Sequence, residues 1–135
     1  MSAHRVSLVV VLLAALGIGA LGAQTSAPAA WQATPASVLK SALRSALAAQ
    51  ERYYAANETY APSVEVLGFR AEAGVRVDIL VASASGWQGR ATHQTQPGRS
   101  CVVFVGPLNG AEAPRTDGDH EMAGEEGIPL CDRMR

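Results

Sequence analysis

Apolar residues recur every three to four positions between Ser37 and Tyr60, which is the spacing of one face of an α-helix. The apolar stripe consists of Leu39, Leu43, Leu47 and Tyr54, with Val38, Ala42, Ala46, Ala49 and Tyr53 beside it. Thr34 is suited to cap the helix, and Pro35 to its first position, where the missing N–H costs nothing. The pattern predicts one helix from Pro35 to about Asn57, whose stripe must be covered by the rest of the chain.

Three later segments have the patterns of β-strands. Val75–Ala82 has period two: Val75, Val77, Ile79 and Val81 lie on one face and Arg76, Asp78 and Leu80 on the other, as in a half-buried strand. Trp87–His93 also has two distinct faces, and Cys101–Val105 is apolar on both, as a covered strand is. The turn residues in Ser83–Gly86 and Gln96–Gly98 leave short connections, so the strands are predicted to be antiparallel neighbours in a meander.

The other segments are irregular. The connection between the helix and the first strand contains glycine and proline, with one helical turn expected near Ser63–Leu67. Beyond Gly106, glycine, proline and acidic residues dominate, which predicts a long loop with at most a brief strand at Ile128–Cys131. The predicted fold class is α+β: one long N-terminal helix packed on a three- to four-stranded antiparallel meander.

Composition bounds the class of protein. The chain has 135 residues, enough for one domain with a modest core. Its 11 basic and 12 acidic side chains are interspersed, whereas binding to nucleic acid needs clustered Lys and Arg. No nucleic-acid partner is therefore expected.

The amino-terminal residues 1–23 have the organisation of a secretory signal peptide. Arg5 precedes an apolar run from Val6 to Leu21, and small residues lead to a cut before Gln24. The alternative is an uncleaved membrane anchor, because the run approaches the length that spans a bilayer. Residues 24–34 are predicted to be a flexible leader and residues 35–135 the globular domain, in the periplasm or secreted.

The two cysteines, Cys101 and Cys131, both lie beyond the signal peptide. An even number of cysteines in an exported chain indicates a disulfide. A redox-active pair is the alternative, although such pairs usually have the spacing Cys-x-x-Cys. The bond would attach the irregular tail to the third strand and close the C-terminal loop.

Four segments in this order carry a resemblance to a known family. They are AAQERYYAANETYAPSVEVL (Ala48–Leu67), GVRVDILVASASGWQGRATHQ (Gly74–Gln94), CVVFVG (Cys101–Gly106) and GIPLCD (Gly127–Asp132). The chain resembles the globular head of bacterial type IV pilins and pseudopilins. The resemblance implies a helix packed on an antiparallel meander, with a disulfide that closes the C-terminal loop. The usual pilin N-terminal segment, a hydrophobic helix with a glutamate at its fifth position, is not found here.

Candidate chemistry is sparse. The sequence contains no Gly-x-Ser-x-Gly, no His-Glu-x-x-His and no phosphate-binding glycine loop, and His93 is expected to be structural or exposed. Asp117, Asp119 and Glu121 alternate oxygen ligands as a calcium loop does, and the family resemblance adds to this possibility. A solvated acidic loop is the alternative, and otherwise no cofactor is expected.

Three functions follow as hypotheses. The first is a non-enzymatic exported pilin-like domain that acts by protein–protein contact, in association with a type IV pilus or type II secretion system or as a separate binding module. The second is a minor pilin or pseudopilin that is retained in the membrane by its uncleaved N-terminal segment. The third is a small secreted hydrolase, which would require a cluster of titratable residues in a pocket.

Overall fold

The computed structural model describes residues 33–135, so the predicted signal peptide and the leader up to residue 32 lie outside the described residues. The elements in chain order are α1 (Pro35–Asn57), α2 (Val64–Leu67), β1 (Val75–Ala82), β2 (Trp87–His93), β3 (Ser100–Val105) and β4 (Leu130–Cys131). The α+β prediction is confirmed. The long helix is not N-terminal in the chain, however, because it begins at Pro35.

Local capping interactions fix both ends of α1. The side-chain oxygen of Thr34 accepts a hydrogen bond from the N–H of Ser37 at 3.1 Å, which satisfies a free donor of the first turn. At the other end Glu58 adopts a left-handed conformation, with φ of 55°, and its N–H bonds to the carbonyl of Tyr54. The predicted helix boundaries are confirmed. Within residues 33–135, neither helix is both long and apolar enough to cross a bilayer.

The apolar stripe of α1 packs on one face of the sheet. Leu39 and Leu43 are fully buried against Val77, Ala91 and Val103. The small residues Ala42 and Ala46 line the same face of the helix and let it approach the sheet closely. The prediction that the strands cover the Leu39, Leu43 and Leu47 side of the helix is confirmed.

Tyr54 departs from the predicted stripe. Its side chain is 37% exposed. The ring stacks on that of Tyr60, with centroids 4.7 Å apart. Tyr54 lies in the last turn of α1, past the end of the helix–sheet core, so it packs on the following connection instead.

The connection after α1 is attached to the helix by Gln50. This side chain is fully buried. Its amide nitrogen donates to the carbonyl of Ala61 at 2.9 Å, and its amide oxygen accepts from the N–H of Ala61 at 2.7 Å. One side chain therefore satisfies both peptide groups of a buried residue in an irregular segment.

The four strands form one antiparallel sheet in the order β1-β2-β3-β4. The predicted limits of the first two strands are confirmed, β3 begins one residue earlier, and β4 is confined to Leu130–Cys131. A register shift between Ile79 and Val81 interrupts the pairing of β1 with β2. Since the strands are consecutive, β1 lies at one edge of the sheet.

The tail between β3 and β4 forms a second layer on the face of the sheet opposite α1. Val102 is buried there with Ala113 and Ala123, and Phe104, Leu108 and Leu130 pack around them. Cys101–Val105 was predicted to be covered on both faces, which this layer confirms. The expected loop is also correct, but it is held by its own apolar contacts as well as by the cysteines.

Candidate functional site

The disulfide between Cys101 and Cys131 joins β3 to β4, with Cα atoms 4.0 Å apart. The two cysteines are directly paired in the sheet. The carbonyl oxygen of Ala36 lies 4.0 and 3.9 Å from the two sulfurs, so the disulfide sits beneath the first turn of α1. The predicted disulfide is confirmed, and it holds together the start of the helix, the sheet and the tail.

Next to the disulfide, the carboxylate of Asp132 organises the tail. One of its oxygens accepts from the N–H of Ser100 at 2.8 Å and from that of Gly118 at 2.9 Å. The other oxygen accepts from the N–H of Asp119 at 2.6 Å. The N–H of Asp132 in turn donates to the carbonyl of Ser100 at 2.9 Å. This side chain, only 2% exposed, therefore attaches the turn at residues 117–119 to the start of β3.

Two opposing effects act on the pKa of Asp132. Burial raises it, because removal from water disfavours the charged form. Hydrogen bonds from the Thr116 side chain and from the N–H groups of Asp119, Ser100 and Gly118 lower it. The combined effect of the hydrogen bonds exceeds that of burial, so the pKa of Asp132 lies below its ordinary value of 3.8. Asp132 is therefore a buried carboxylate that is stable in its charged form.

Asp119 extends this cluster to the surface. It accepts hydrogen bonds from the N–H of Arg133 and from the guanidinium of Arg99, both at 2.8 Å. The bond from the Arg133 N–H is the main reason that the pKa of Asp119 is lowered, and the Arg99 contact adds to it against the effect of desolvation. This carboxylate thus ties the turn at residues 117–119 to the residue before β3 and to the segment after β4.

The three residues predicted as calcium candidates have separate surroundings. Asp119 belongs to the cluster around Asp132, Asp117 contacts the guanidinium of Arg90 at 3.3 Å, and the side chain of Glu121 is exposed. Within the part of the chain that the structure describes, no three His, Cys, Asp or Glu residues are grouped so as to hold a metal ion. Calcium binding stays a prediction.

His93 ends β2 and is half-buried, on the sheet face that carries Trp87. Its Nδ1 accepts a hydrogen bond from the N–H of Thr95 at 3.1 Å. The ring therefore orders the turn into β3. Trp87, by contrast, is 1% exposed and lies in the core under α1.

A groove of about 390 Å³ runs along β1 at the free edge of the sheet. The apolar side chains of Val75, Val77 and Ile79 line it on the strand side. Val64, Phe69 and Ala71, from α2 and the segment after it, line it on the other side. The sequence predicted these strands but not the gap, because the gap depends on where the connection packs.

Sequence reasoning missed Asp132 and Gln50, two buried polar residues whose side chains bond to backbone groups in distant parts of the chain. Asp132 follows Cys131 directly, and its main partner Ser100 precedes Cys101 directly. That matched pair of neighbours is the only signal in the sequence, and it becomes visible only once the two cysteines are paired.

A comparison of the sequence with protein-family models finds no match, and no curated protein matches it significantly.

Proposed function

We infer that this chain is an exported, non-enzymatic pilin-like domain that acts by protein–protein contact in the periplasm or outside the cell. Its partner is a component of a type IV pilus or a type II secretion system. Periplasmic or extracellular location follows from the signal-peptide organisation of residues 1–23 and is supported by the disulfide, which persists in oxidising compartments.

One arrangement carries the proposal: a long helix lies across an antiparallel meander, and a disulfide ties the last strand to the third. The order of these elements is the one that the resemblance to pilin heads implies. Fold and function are separable, however, because the same architecture can host unrelated activities. Tests of the proposal must therefore address location and partner directly.

The first experiment measures the mass of the chain after expression in a Gram-negative host. A mature start at Gln24 and release from spheroplasts are the expected results. A product that keeps Val6–Leu21 and fractionates with membranes would instead indicate the membrane-retained minor pilin or pseudopilin.

The second experiment identifies the partner by photo-cross-linking in the native host. A cross-linkable amino acid replaces Ile128, which is 56% exposed on the tail, and the control replaces Arg44 on the exposed side of α1. We expect adducts with a pilus or secretion component, and loss of that system's function when the gene is deleted. Normal piliation and secretion in the deletion strain would contradict the proposal.

A further inference from the structure

The free edge of β1 has peptide groups that point away from the sheet. Gln94 donates its N–H to the carbonyl of Gly74 at 2.9 Å, which makes these two residues a hydrogen-bonded pair. Bonded pairs alternate along an antiparallel ladder, so Arg76 and Asp78 bond to β2. The N–H and C=O groups of Val75, Val77 and Ile79 then face outward, alongside the groove, whose lining also includes the charged residues Glu65, Arg76 and Asp78.

Among residues 33–135, one of these outward-facing groups has a hydrogen-bond partner. The N–H of Val75 donates to the carbonyl of Glu72 at 3.1 Å. The bulge between Ile79 and Val81 ends the regular edge. A segment of five residues, from Val75 to Ile79, therefore remains open to another strand. Open edges of this kind are templates for pairing.

The side chains on this edge are complementary to themselves. When two copies of β1 run antiparallel with Val77 opposite Val77, Arg76 of one copy lies opposite Asp78 of the partner subunit. The same holds for Asp78 and the partner's Arg76, so both charge pairs are opposite in sign. Val75 lies opposite the partner's Ile79 on the apolar face. Opposite charges and apolar pairs directly across an antiparallel ladder are both favourable.

We propose that β1 is a homodimer interface, in which Val75–Ile79 of two copies pair around a two-fold axis at Val77. Val77 and the partner's Val77 exchange two backbone hydrogen bonds, and the N–H of each Ile79 donates to the carbonyl of the opposing Val75. The four-stranded sheets join into one of eight strands, and the apolar side chains extend into the adjoining grooves. The interface is isologous, so it closes at two subunits and forms no fibre.

Charge distribution favours a second copy over an unrelated peptide. Arg76 is 78% exposed on its side chain and bonds to Asp78 of its own strand at 2.9 Å. In the dimer each of these charges gains an opposing partner at the close, non-hydrogen-bonded positions of the ladder. The interface is short, so we expect a dissociation constant of about 1–100 μM. This surface is independent of the proposed pilus or secretion function.

The test starts with sedimentation equilibrium of the purified full-length expression product between about 1 μM and 1 mM, the range that brackets such an affinity. A monomer–dimer equilibrium is expected. Hydrogen exchange at the amides of Val77 and Ile79 should slow as concentration rises, because the dimer bonds them. A chain that stays monomeric throughout this range overturns the proposal.

Two charge reversals then test the register. Arg76→Asp leaves two acidic residues on the edge, and Asp78→Arg leaves two basic ones, so each variant repels its own copy. Each should weaken self-association about tenfold or more, while an equimolar mixture should recover the wild-type dimer content as a heterodimer. The control Arg44→Glu, on the exposed side of α1, should leave the dissociation constant unchanged.

The double variant Arg76→Asp/Asp78→Arg restores self-complementarity. It keeps the Asp78→Arg change, which also removes the contact of Asp78 with Arg90 at 3.5 Å, so a double variant that dimerises shows that this change does not by itself prevent folding. It should dimerise as the wild type does. Dimers that persist in both single variants, or that fail to recover in the mixture and in the double variant, overturn this register. Exchange at Val77 that is slow at every concentration would mean that another segment of the same chain covers the edge, which excludes the second copy.

Discussion

At the scale of single residues, the side chains of Gln50 and Asp132 supply hydrogen bonds to the backbone of irregular segments, as neighbouring strands do within the sheet. Each is buried, and each satisfies backbone groups that have no regular partner. A buried polar group that loses its partner costs more than the bond itself contributed, since its desolvation is no longer offset. Substitution of either residue should therefore lower the stability of the domain more than substitution of most partly buried apolar residues.

Gln50→Leu keeps the size of the side chain but leaves both peptide groups of Ala61 without a partner. We expect a loss of about 2–4 kcal/mol in the free energy of unfolding, measured by urea denaturation. The control is Gln88→Leu, which removes one hydrogen bond, donated to the carbonyl of Glu112 at 3.0 Å. That variant should lose less stability; an equal loss in both would mean that the double bond to Ala61 is not what holds the connection.

Asp132 should make the domain sensitive to acid. Its pKa is lowered in the folded state, so the carboxylate contributes stability above its ordinary value of 3.8. That contribution is lost as pH falls below about 4 and through the folded-state pKa, because the unfolded chain then binds the proton more readily. The melting temperature should be flat from pH 7 to pH 5 and fall below pH 4.

Asp132→Asn tests this explanation. An amide presents one oxygen where the carboxylate presents two, so the variant should lose about 2–3 kcal/mol at pH 7 and show a shallower acid dependence. The matched control is Asp117→Asn: the exposed side chain of Asp117 forms an ion pair with Arg90, and its replacement should cost less at pH 7. An acid dependence as steep as that of the wild type would assign it to other groups.

At the scale of elements, the sheet is covered on both faces by different means. The regular helix α1 covers one face with an apolar stripe that the periodicity of its sequence predicts. An irregular tail covers the other with small apolar residues, Ala113 and Ala123, that have no periodicity. Covering both faces explains why β3 is apolar from Cys101 to Val105, whereas β1 at the edge alternates apolar and charged residues from Val75 to Ile79.

Leu43→Asp should prevent folding, because it places a carboxylate in the fully buried interface between α1 and the sheet. We expect loss of the cooperative thermal transition in circular dichroism. Ala48→Asp, on the exposed side of the same helix, is the control and should cost about 0.7 kcal/mol through helix propensity alone. A folded Leu43→Asp would mean that the wrong face of the helix had been assigned to the core.

At the scale of the whole molecule, the disulfide closes a loop with a sequence separation of 30 residues. Cross-linking of such a loop restricts the unfolded chain and contributes about 3–4 kcal/mol. Reduction should therefore lower the melting temperature on the order of 10–20 °C. The variant Cys101→Ser/Cys131→Ser should melt at the same temperature as the reduced wild-type protein and show no further response to reductant. A melting curve of the wild type that does not change on reduction would mean that the disulfide does not stabilise the fold.

The predictions from sequence divide according to the distance over which each interaction acts. The limits of α1, its cap at Thr34 and the short turns between β1, β2 and β3 depend on neighbours a few residues away, and all were predictable. The position of Tyr54 was wrong, because its partner Tyr60 lies beyond the end of the helix. Of the candidate site, only the disulfide was predicted correctly, and the calcium residues remain untested.

The sequence by itself determined the kind and order of the elements, since apolar periodicity and turn residues act locally and do not depend on how the chain closes. Only the tertiary structure decided which polar side chains hold the irregular segments in place and that the edge of the sheet at β1 stays unpaired. Asp132 and Ser100 are 32 residues apart, and neither can be recognised as a partner until the sheet brings them together. The physical reason is that a hydrogen bond or a groove is a property of juxtaposed surfaces, whereas a helix or strand is a property of a stretch of chain.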